Sequence, residues 1–303
     1  MDLRESDSPQ RHKRSASVAS SSFASAQDSL KRFRPHSDVV LVSRDGNRFH
    51  CSSRLLASSP DILPPNQSAS DVTHTASNEL ESECHMPESG RTLGILLEYF
   101  EPTPVQPRVL DFPNDWELMA ALKRYSVWRG IDAMHAVLNQ SPLPPNLVAP
   151  AFIFSQLFTI PTLVQLAAKA AAKSCTSDAD ALDALLAGLT CGAEETGLQQ
   201  EKVMPLITYL LRRSTYLHTL RSRALATLRA FDDEYECEDS CRGMVYSSLS
   251  DILSTTSRRR LRKLDYGAGE VDFACKDCDV RWEKVVTVLL EGVADMPEPP
   301  VFC

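Results

Sequence analysis

The stretch that most constrains the fold is residues 37 to 60, which read SDVVLVSRDGNRFHCSSRLLASSP. A short run of β-branched and aliphatic side chains, Val39–Val42, and a second short run, Arg48–Cys51, flank the turn Arg44-Asp45-Gly46-Asn47. Asp-Gly between two such runs is typical of a β-hairpin, because glycine readily accepts the backbone conformation that a tight turn requires. We therefore predict two antiparallel strands joined by this turn.

A helix and a third strand are expected after the hairpin. Ser53 can cap a short apolar helix that ends near Pro60, and the carboxylate of Asp38 can cap backbone N–H groups. The polar, turn-rich residues 64 to 78 predict a mobile insertion. Residues 80 to 86 could then supply a further strand.

Helical periodicity dominates the rest of the chain. A helix that starts at Pro87-Glu88-Ser89 places an apolar stripe at Leu93, Leu96, Leu97 and Phe100. Two more helices are predicted at about 115–125 and 128–138. Three later stripes indicate a nearly all-helical C-terminal half: Leu182, Leu185, Leu186 and Leu189; Val245, Leu249, Ile252 and Leu253; and Val285, Val286, Leu289 and Leu290.

One segment has the length of a membrane span. Residues 147 to 172 contain a single charged side chain, Lys169, and about 20 apolar residues suffice to cross a bilayer. However, Pro150 and Pro161 divide the segment, and its two glutamines would need polar partners in lipid. We predict instead two buried helices joined at Ile160–Pro161, with the proline in the first turn of the second helix.

Composition and charge narrow the class of ligand. The chain has 303 residues, a formal net charge of −8 and a pI of about 5.4. Nucleic acid is not expected as a main ligand, because binding the phosphate backbone needs clustered cations. The basic run at residues 258 to 263 is better explained as a charged helix face or loop. No membrane partner is expected, and the polar start MDLRESDSPQ does not resemble a secretory signal, so the expected location is cytoplasmic or nuclear.

The sequence divides into four expected parts. A disordered leader rich in Ser, Arg and Lys covers residues 1–36, an α+β domain 37–140, a helical domain 147–292 and a tail 293–303. The leader clusters RHKR and KRFR resemble a two-part nuclear import address, but a solvated basic tail with phosphorylatable serines is slightly favoured.

The sequence offers little that resembles catalysis. It contains no G-x-G-x-x-G, no Walker-type G-K-[ST] loop, no H-E-x-x-H and no G-x-S-x-G pattern. Cys84 and His85 could form a thiol–imidazole pair, but neighbours in sequence do not thereby have catalytic geometry. We predict no enzyme activity, no catalytic residues and no cofactor.

Cysteine spacing leaves one metal hypothesis open. Cys275 and Cys278 form a C-x-x-C, and Cys237 and Cys241 form a C-x-x-x-C upstream. Four such thiolates could hold a structural zinc ion tetrahedrally. The long intervening stretch favours incidental reduced thiols, so we predict no metal site and keep zinc as the alternative.

The order of these elements resembles the BTB/POZ domain, and more narrowly a large fungal set of BTB-containing proteins. The residues that carry the resemblance are Ser37-Asp38-Val39-Val40-Leu41-Val42, Asp45-Gly46, Phe49, Leu55-Leu56-Ala57-Ser58-Ser59-Pro60, Leu93 to Phe100 with Pro102, and Leu118–Tyr125. The chain departs from the pattern at Ser52, where the family usually has a histidine. The resemblance implies an α+β fold, a small sheet with surrounding helices, followed by an all-α region.

The function that the resemblance implies is non-enzymatic protein–protein interaction. Its partners would be proteins, with a homodimer as a further option. The segment before the first strand has few large apolar groups for a dimer interface, namely Phe23, Leu30 and Phe33. Two alternatives stay open: a cullin-type ubiquitin-ligase substrate adaptor, and a nuclear regulator with a structural zinc in its C-terminal half.

Overall fold

The computed structural model describes residues 38–59, 61–62, 82–105, 108–174, 179–232, 247, 276–298 and 300. The chain divides into two compact units, Met1–Gly94 and Ile95–Cys303. The first unit contains a small mixed sheet, and the described part of the second is helical. The fold class is therefore α+β, as the sequence predicts.

The sheet has three strands, β1 (Val39–Val42), β2 (Arg48–Cys51) and β3 (Ser82–His85), in the order β2-β1-β3. β1 pairs antiparallel with β2 and parallel with β3. All four residues of β1 are buried. This burial is consistent with their aliphatic side chains, because a central strand needs apolar residues on both faces. The two predicted strands and the additional third strand are confirmed.

The hairpin turn is held by side chains as well as by backbone. Gly46 has φ +83° and donates its N–H to the carbonyl of Ser43 at 2.9 Å. The carboxylate of Asp45 accepts the Ser43 hydroxyl at 2.5 Å and the backbone N–H of Gly90 at 2.8 Å. The predicted Asp-Gly hairpin is confirmed, and its aspartate also fastens the turn to the start of the next long helix.

The short helix α1 (Ser53–Leu56) is capped by Asp38 rather than by Ser53. The N-cap position belongs to Ser52, whose side chain makes no capping hydrogen bond. Ser53 lies inside the helix, and its N–H donates to the Asp38 carboxylate at 2.6 Å while its hydroxyl donates to the other carboxylate oxygen. The prediction for Asp38 is confirmed and that for Ser53 is wrong, because the carboxylate reaches the helix start from the neighbouring strand.

Helix α2 (Gly90–Glu98) carries the predicted stripe of leucines. Leu93, Leu96 and Leu97 are almost completely buried, and the hydroxyl of Ser89 accepts the N–H of Thr92 at 3.3 Å. The helix ends before Phe100. The insertion predicted at residues 64 to 78 lies outside the described residues.

The described part of the second unit is built from helices. They are α3 (Trp116–Arg124), α4 (Trp128–Leu138), a 3-10 turn (Pro145–Leu147), α5 (Val148–Leu157), α6 (Pro161–Ser174), α7 (Ala179–Thr196), α8 (Gln200–Asp232) and α9 (Lys276–Ala294). The helices predicted at 115–125 and 128–138 are confirmed as α3 and α4. The leucines predicted to face the core of α7 do so, with Leu182, Leu185 and Leu189 buried.

Helices α5 and α6 confirm the prediction of two buried helices joined at Ile160–Pro161. All residues of α5 except Gln156 are buried, and α6 starts at Pro161. Within the residues that the structure describes, none of the helices combines the length and the apolar character needed to cross a bilayer.

The second half of α8 packs against α9 around a separate apolar cluster. Its buried members are Leu217, Leu220, Ala224, Leu228, Cys278, Trp282, Val285, Val286, Leu289 and Met296. The Tyr216 hydroxyl donates to the carbonyl of Gly292 and joins the two helices. The stripe predicted at 285–290 therefore faces a core, whereas the stripe at 245–253 and the basic run at 258–263 lie outside the described residues.

Replacing Asp38 tests the cap of α1. Because Asp38→Ala leaves the Ser53 N–H without its acceptor, we expect the free energy of unfolding to fall by about 1 kcal/mol in a urea titration. Asp38→Asn keeps an acceptor oxygen and should lose less. Equal urea midpoints for Asp38→Ala and the unchanged chain would contradict this role.

Acid should release the Asp45 tie. The Ser43 hydroxyl, followed by the Gly90 N–H, holds the pKa of the Asp45 carboxyl below its ordinary value of 3.8, although desolvation opposes this effect. A lowered folded-state pKa adds stability above the unfolded-state pKa and loses it as the pH falls through the folded value. The difference in urea midpoint between the unchanged chain and Asp45→Asn should thus be constant at higher pH and shrink below 3.8. A difference that persists undiminished in strong acid would show that charge is not involved.

Candidate interaction site

Trp128 is the most exposed aromatic side chain in the described part of the chain. It is the first residue of α4, and 70% of its surface is accessible. The same helix buries Ile131, Met134 and Leu138. An indole exposed to this degree is unusual, because tryptophan is highly buried on average. One face of the helix is therefore packed, and the Trp128 side chain at its start projects into solvent.

The backbone that carries Trp128 is held by its neighbour Arg129. The guanidinium of Arg129 donates to the carbonyl of Thr103 at 2.6 Å and to the carbonyl of Glu101. These carbonyls belong to the segment that follows α2. Two donors of one planar guanidinium reach two carbonyls, which restrains the geometry more than a single contact would. The first turn of α4 is thereby fastened to that segment.

Gly130 lets α4 approach its neighbours closely. A Cβ atom at this position would lie 2.3 Å from Leu122 Cδ2 and 2.8 Å from Tyr99 Cδ2, both far inside van der Waals contact. Only glycine fits without displacement of those side chains. Trp128 is therefore mounted on a helix whose position is determined by close packing and by the Arg129 hydrogen bonds.

A second segment held by side-chain contacts precedes α3. Asp115 is completely buried, accepts the backbone N–H of Asp111 at 2.6 Å, and lies 3.5 Å from the Arg108 guanidinium. The ring centroids of Phe112 and Trp116 are 4.4 Å apart. Next to Arg108, Val109 exposes 91% of its surface. Another apolar side chain is therefore exposed on the segment that precedes α3.

Burial governs the titration of the groups near Arg108. Desolvation raises the pKa of the Tyr99 hydroxyl and that of the Glu98 carboxyl, and the positive charge of Arg108 partly offsets both shifts. Shifts with this cause are common in structural clusters as well as in active sites. The exposed groups on these two segments are the indole of Trp128 and the side chain of Val109.

Cys84 and His85 do not form a thiol–imidazole pair. Both lie on β3, where successive side chains point to opposite faces of the sheet. Cys84 is opposite Leu41 of β1 and lies 3.9 Å from the Met86 sulfur, whereas His85 is opposite Val42 and is exposed. Burial also raises the pKa of the Cys84 thiol, which makes it a weaker nucleophile.

The cysteines of the zinc hypothesis are only partly described. Cys278 is buried in the cluster between α8 and α9, while Cys237, Cys241 and Cys275 lie outside the described residues. In the part of the chain that is described, no three histidine, cysteine, aspartate or glutamate side chains gather so that they could hold a metal ion. The zinc alternative stays a prediction.

Trp128 was not singled out from the sequence, although a signal exists. On a helix with about 100° per residue, Ile131, Met134 and Leu138 point within a sector of about 60°, and Trp128 lies roughly 90° from its centre. An aromatic residue that far from the apolar stripe is a candidate for exposure. The deciding fact, that no described neighbour covers it, depends on tertiary packing.

Comparisons with protein-family models, with curated proteins and with solved structures found no match to this chain. Any functional proposal therefore rests on the residues of this chain and their geometry.

Thiol reactivity offers a direct check of the sheet. Burial, reinforced by the negative charge of Asp38, raises the pKa of Cys51 to about 12. At about pH 8 its thiolate fraction is then on the order of 10⁻⁴. We expect iodoacetamide to label Cys51 at least about 100-fold more slowly in the folded chain than in the urea-unfolded chain, measured by peptide mass spectrometry. Comparable rates in both states would show that the strand is open to solvent.

Proposed function

We propose that this chain is a non-enzymatic protein-recognition module with a BTB/POZ-like domain in its N-terminal half. The proposal joins two kinds of support: the order and pairing of the elements around β1, and the presentation of Trp128. The partner class is protein, and self-association belongs to the same class.

The arrangement around β1 supports the BTB-like part of the proposal. A strand, an Asp-Gly turn, an antiparallel strand, a short helix, a third strand and a leucine-rich helix follow one another in the order on which the resemblance rests. Asp38, one of the residues that carry the resemblance, caps α1. These features agree with the likeness on which the proposal rests.

The observation that carries the recognition function is the exposed indole of Trp128 on a restrained backbone. Tryptophan is among the residues most enriched at binding hot spots, where a large rigid side chain fills a pocket on the partner. A support that is already ordered reduces the entropy lost on binding. Arg129 and Gly130 supply that order at this position.

The two alternatives from the sequence rest on different grounds. A cullin-type adaptor follows from the BTB-like resemblance, and a zinc-stabilised nuclear regulator follows from cysteines that are mostly outside the described residues. Both stay predictions.

Affinity capture with the full-length chain tests the recognition function. Proteins bound from a cell extract are quantified for the unchanged chain and for Trp128→Ala. We expect at least one protein that is specifically enriched by the unchanged chain to fall by about tenfold or more with Trp128→Ala, because truncation of a hot-spot aromatic typically costs at least 2 kcal/mol.

Val280→Ala is the matched control. Val280 is also an exposed apolar residue, with 44% of its surface accessible, and it lies on α9. Its truncation should leave the captured proteins unchanged, and circular dichroism should show intact helices in both variants. Identical captured sets for the unchanged chain and Trp128→Ala, or equal losses in both variants, would refute recognition through Trp128.

A further inference from the structure

Helix α8 has an unusual distribution of charge for an acidic protein. From residue 202 to residue 231 it contains no aspartate or glutamate, in a chain whose formal net charge is −8. Over the same stretch it carries six cations, namely Lys202, Arg212, Arg213, Arg221, Arg223 and Arg229. All of these except Arg213 are exposed. Positive charge is therefore concentrated along one helix.

Three of the arginines and a histidine lie on the side of α8 that faces away from α9. The opposite side packs on α9 through Leu217, Leu220, Ala224 and Leu228. At about 100° per residue, Arg212 and Arg223 lie along one border of the exposed side, and His218 and Arg229 along the other. No acidic side chain of the described residues forms an ion pair with these three arginines.

Small side chains occupy the strip between these two borders. They are Thr215, Thr219, Ser222 and Ala226, and all are exposed. The hydroxyl of Thr215 donates to the carbonyl of Leu211 at 3.0 Å, and that of Thr219 donates to the carbonyl of Thr215 at 2.9 Å. These two hydroxyl protons are thus used within the helix. Side chains of this size allow the backbone of a second helix to come close.

We infer that this surface, the basic face of α8, binds an acidic α-helix of a partner protein, which lies lengthwise along the small-residue strip with carboxylates on both sides. From Arg212 to Arg229 the face is about 25 Å long, which matches a helix of about 17 residues. The inference rests on the positive charges of the arginines. The small side chains of the strip favour a helix as the shape of the bound segment. It is independent of Trp128 and goes beyond the proposed function.

A polypeptide fits this face better than nucleic acid or an anionic membrane. Phosphate contacts commonly use serine and threonine hydroxyl donors, whereas the Thr215 and Thr219 protons are bonded to the helix itself. Met204 and Leu211, each nearly half exposed, continue the same side of α8 with apolar surface.

The test measures binding of a designed peptide to the full-length chain by fluorescence anisotropy. The probe is a helical peptide of about 20 residues with an alanine strip bordered on both sides by glutamates, and its counterpart has glutamine at each glutamate. We expect saturable binding of the glutamate peptide and at least about tenfold weaker binding of the glutamine peptide.

Charge reversal on the face should abolish that binding. The triple variant Arg212→Glu, Arg223→Glu and Arg229→Glu should weaken it by about tenfold or more. Arg221→Glu is the matched control, because Arg221 is exposed but points roughly 130° away from the centre of the face. If Arg221→Glu is as damaging as Arg223→Glu taken singly, the effect is non-specific charge attraction and the inference fails.

Ala226→Trp separates a helical partner from other polyanions. A bulky side chain in the strip keeps a second helix at a distance without a change in charge, so it should weaken peptide binding by about fivefold or more. Trp128→Ala should have no effect. Absence of peptide binding would overturn the inference, as would tighter binding of single-stranded RNA or phosphatidylserine vesicles that Ala226→Trp leaves unchanged.

Discussion

The helical unit depends on the complete burial of α5. Apart from Gln156, every residue of this helix is buried, and it carries no charge. A helix without a polar face has to be enclosed by neighbours, and α4, α6 and α7 do so. The contact with α7 is close, because a Cβ on Gly188 would lie 3.1 Å from the Cβ of Ala149. Because α5 has to be enclosed, the surrounding helices pack against it with their inner faces. Their outer faces are not needed for this burial.

The exposure of Trp128 depends on the close packing of α4 against its neighbours. Gly130 brings α4 so close to Leu122 and Tyr99 that the direction of its first turn is determined, and Arg129 holds the adjoining carbonyls. A more loosely packed helix could rotate to bury the indole, which would release hydrophobic free energy of a few kcal/mol. Close packing therefore keeps an apolar group in solvent, a cost that the proposed recognition function would offset.

Helix α8 shows how one element can serve two purposes. Its inner side forms an apolar cluster with α9, and its outer side presents cations around small side chains. Repulsion among the arginines is tolerable because they are exposed to water and at intervals along the helix. The inner face supplies stability, while the outer face is free to differ in charge from the rest of an acidic protein.

Local patterns in the sequence were sufficient for the strands, the hairpin, α3, α4 and the start of α6, because apolar runs, an Asp-Gly turn, helical periodicity and prolines act over a few residues. Asp38 could be named as a cap, but its reach to Ser53 across the strand pairing displaced the serine predicted for that role. The exposure of Trp128 and that of the outer side chains of α8 were decided by tertiary structure alone, since the accessibility of a side chain depends on which distant elements pack beside it.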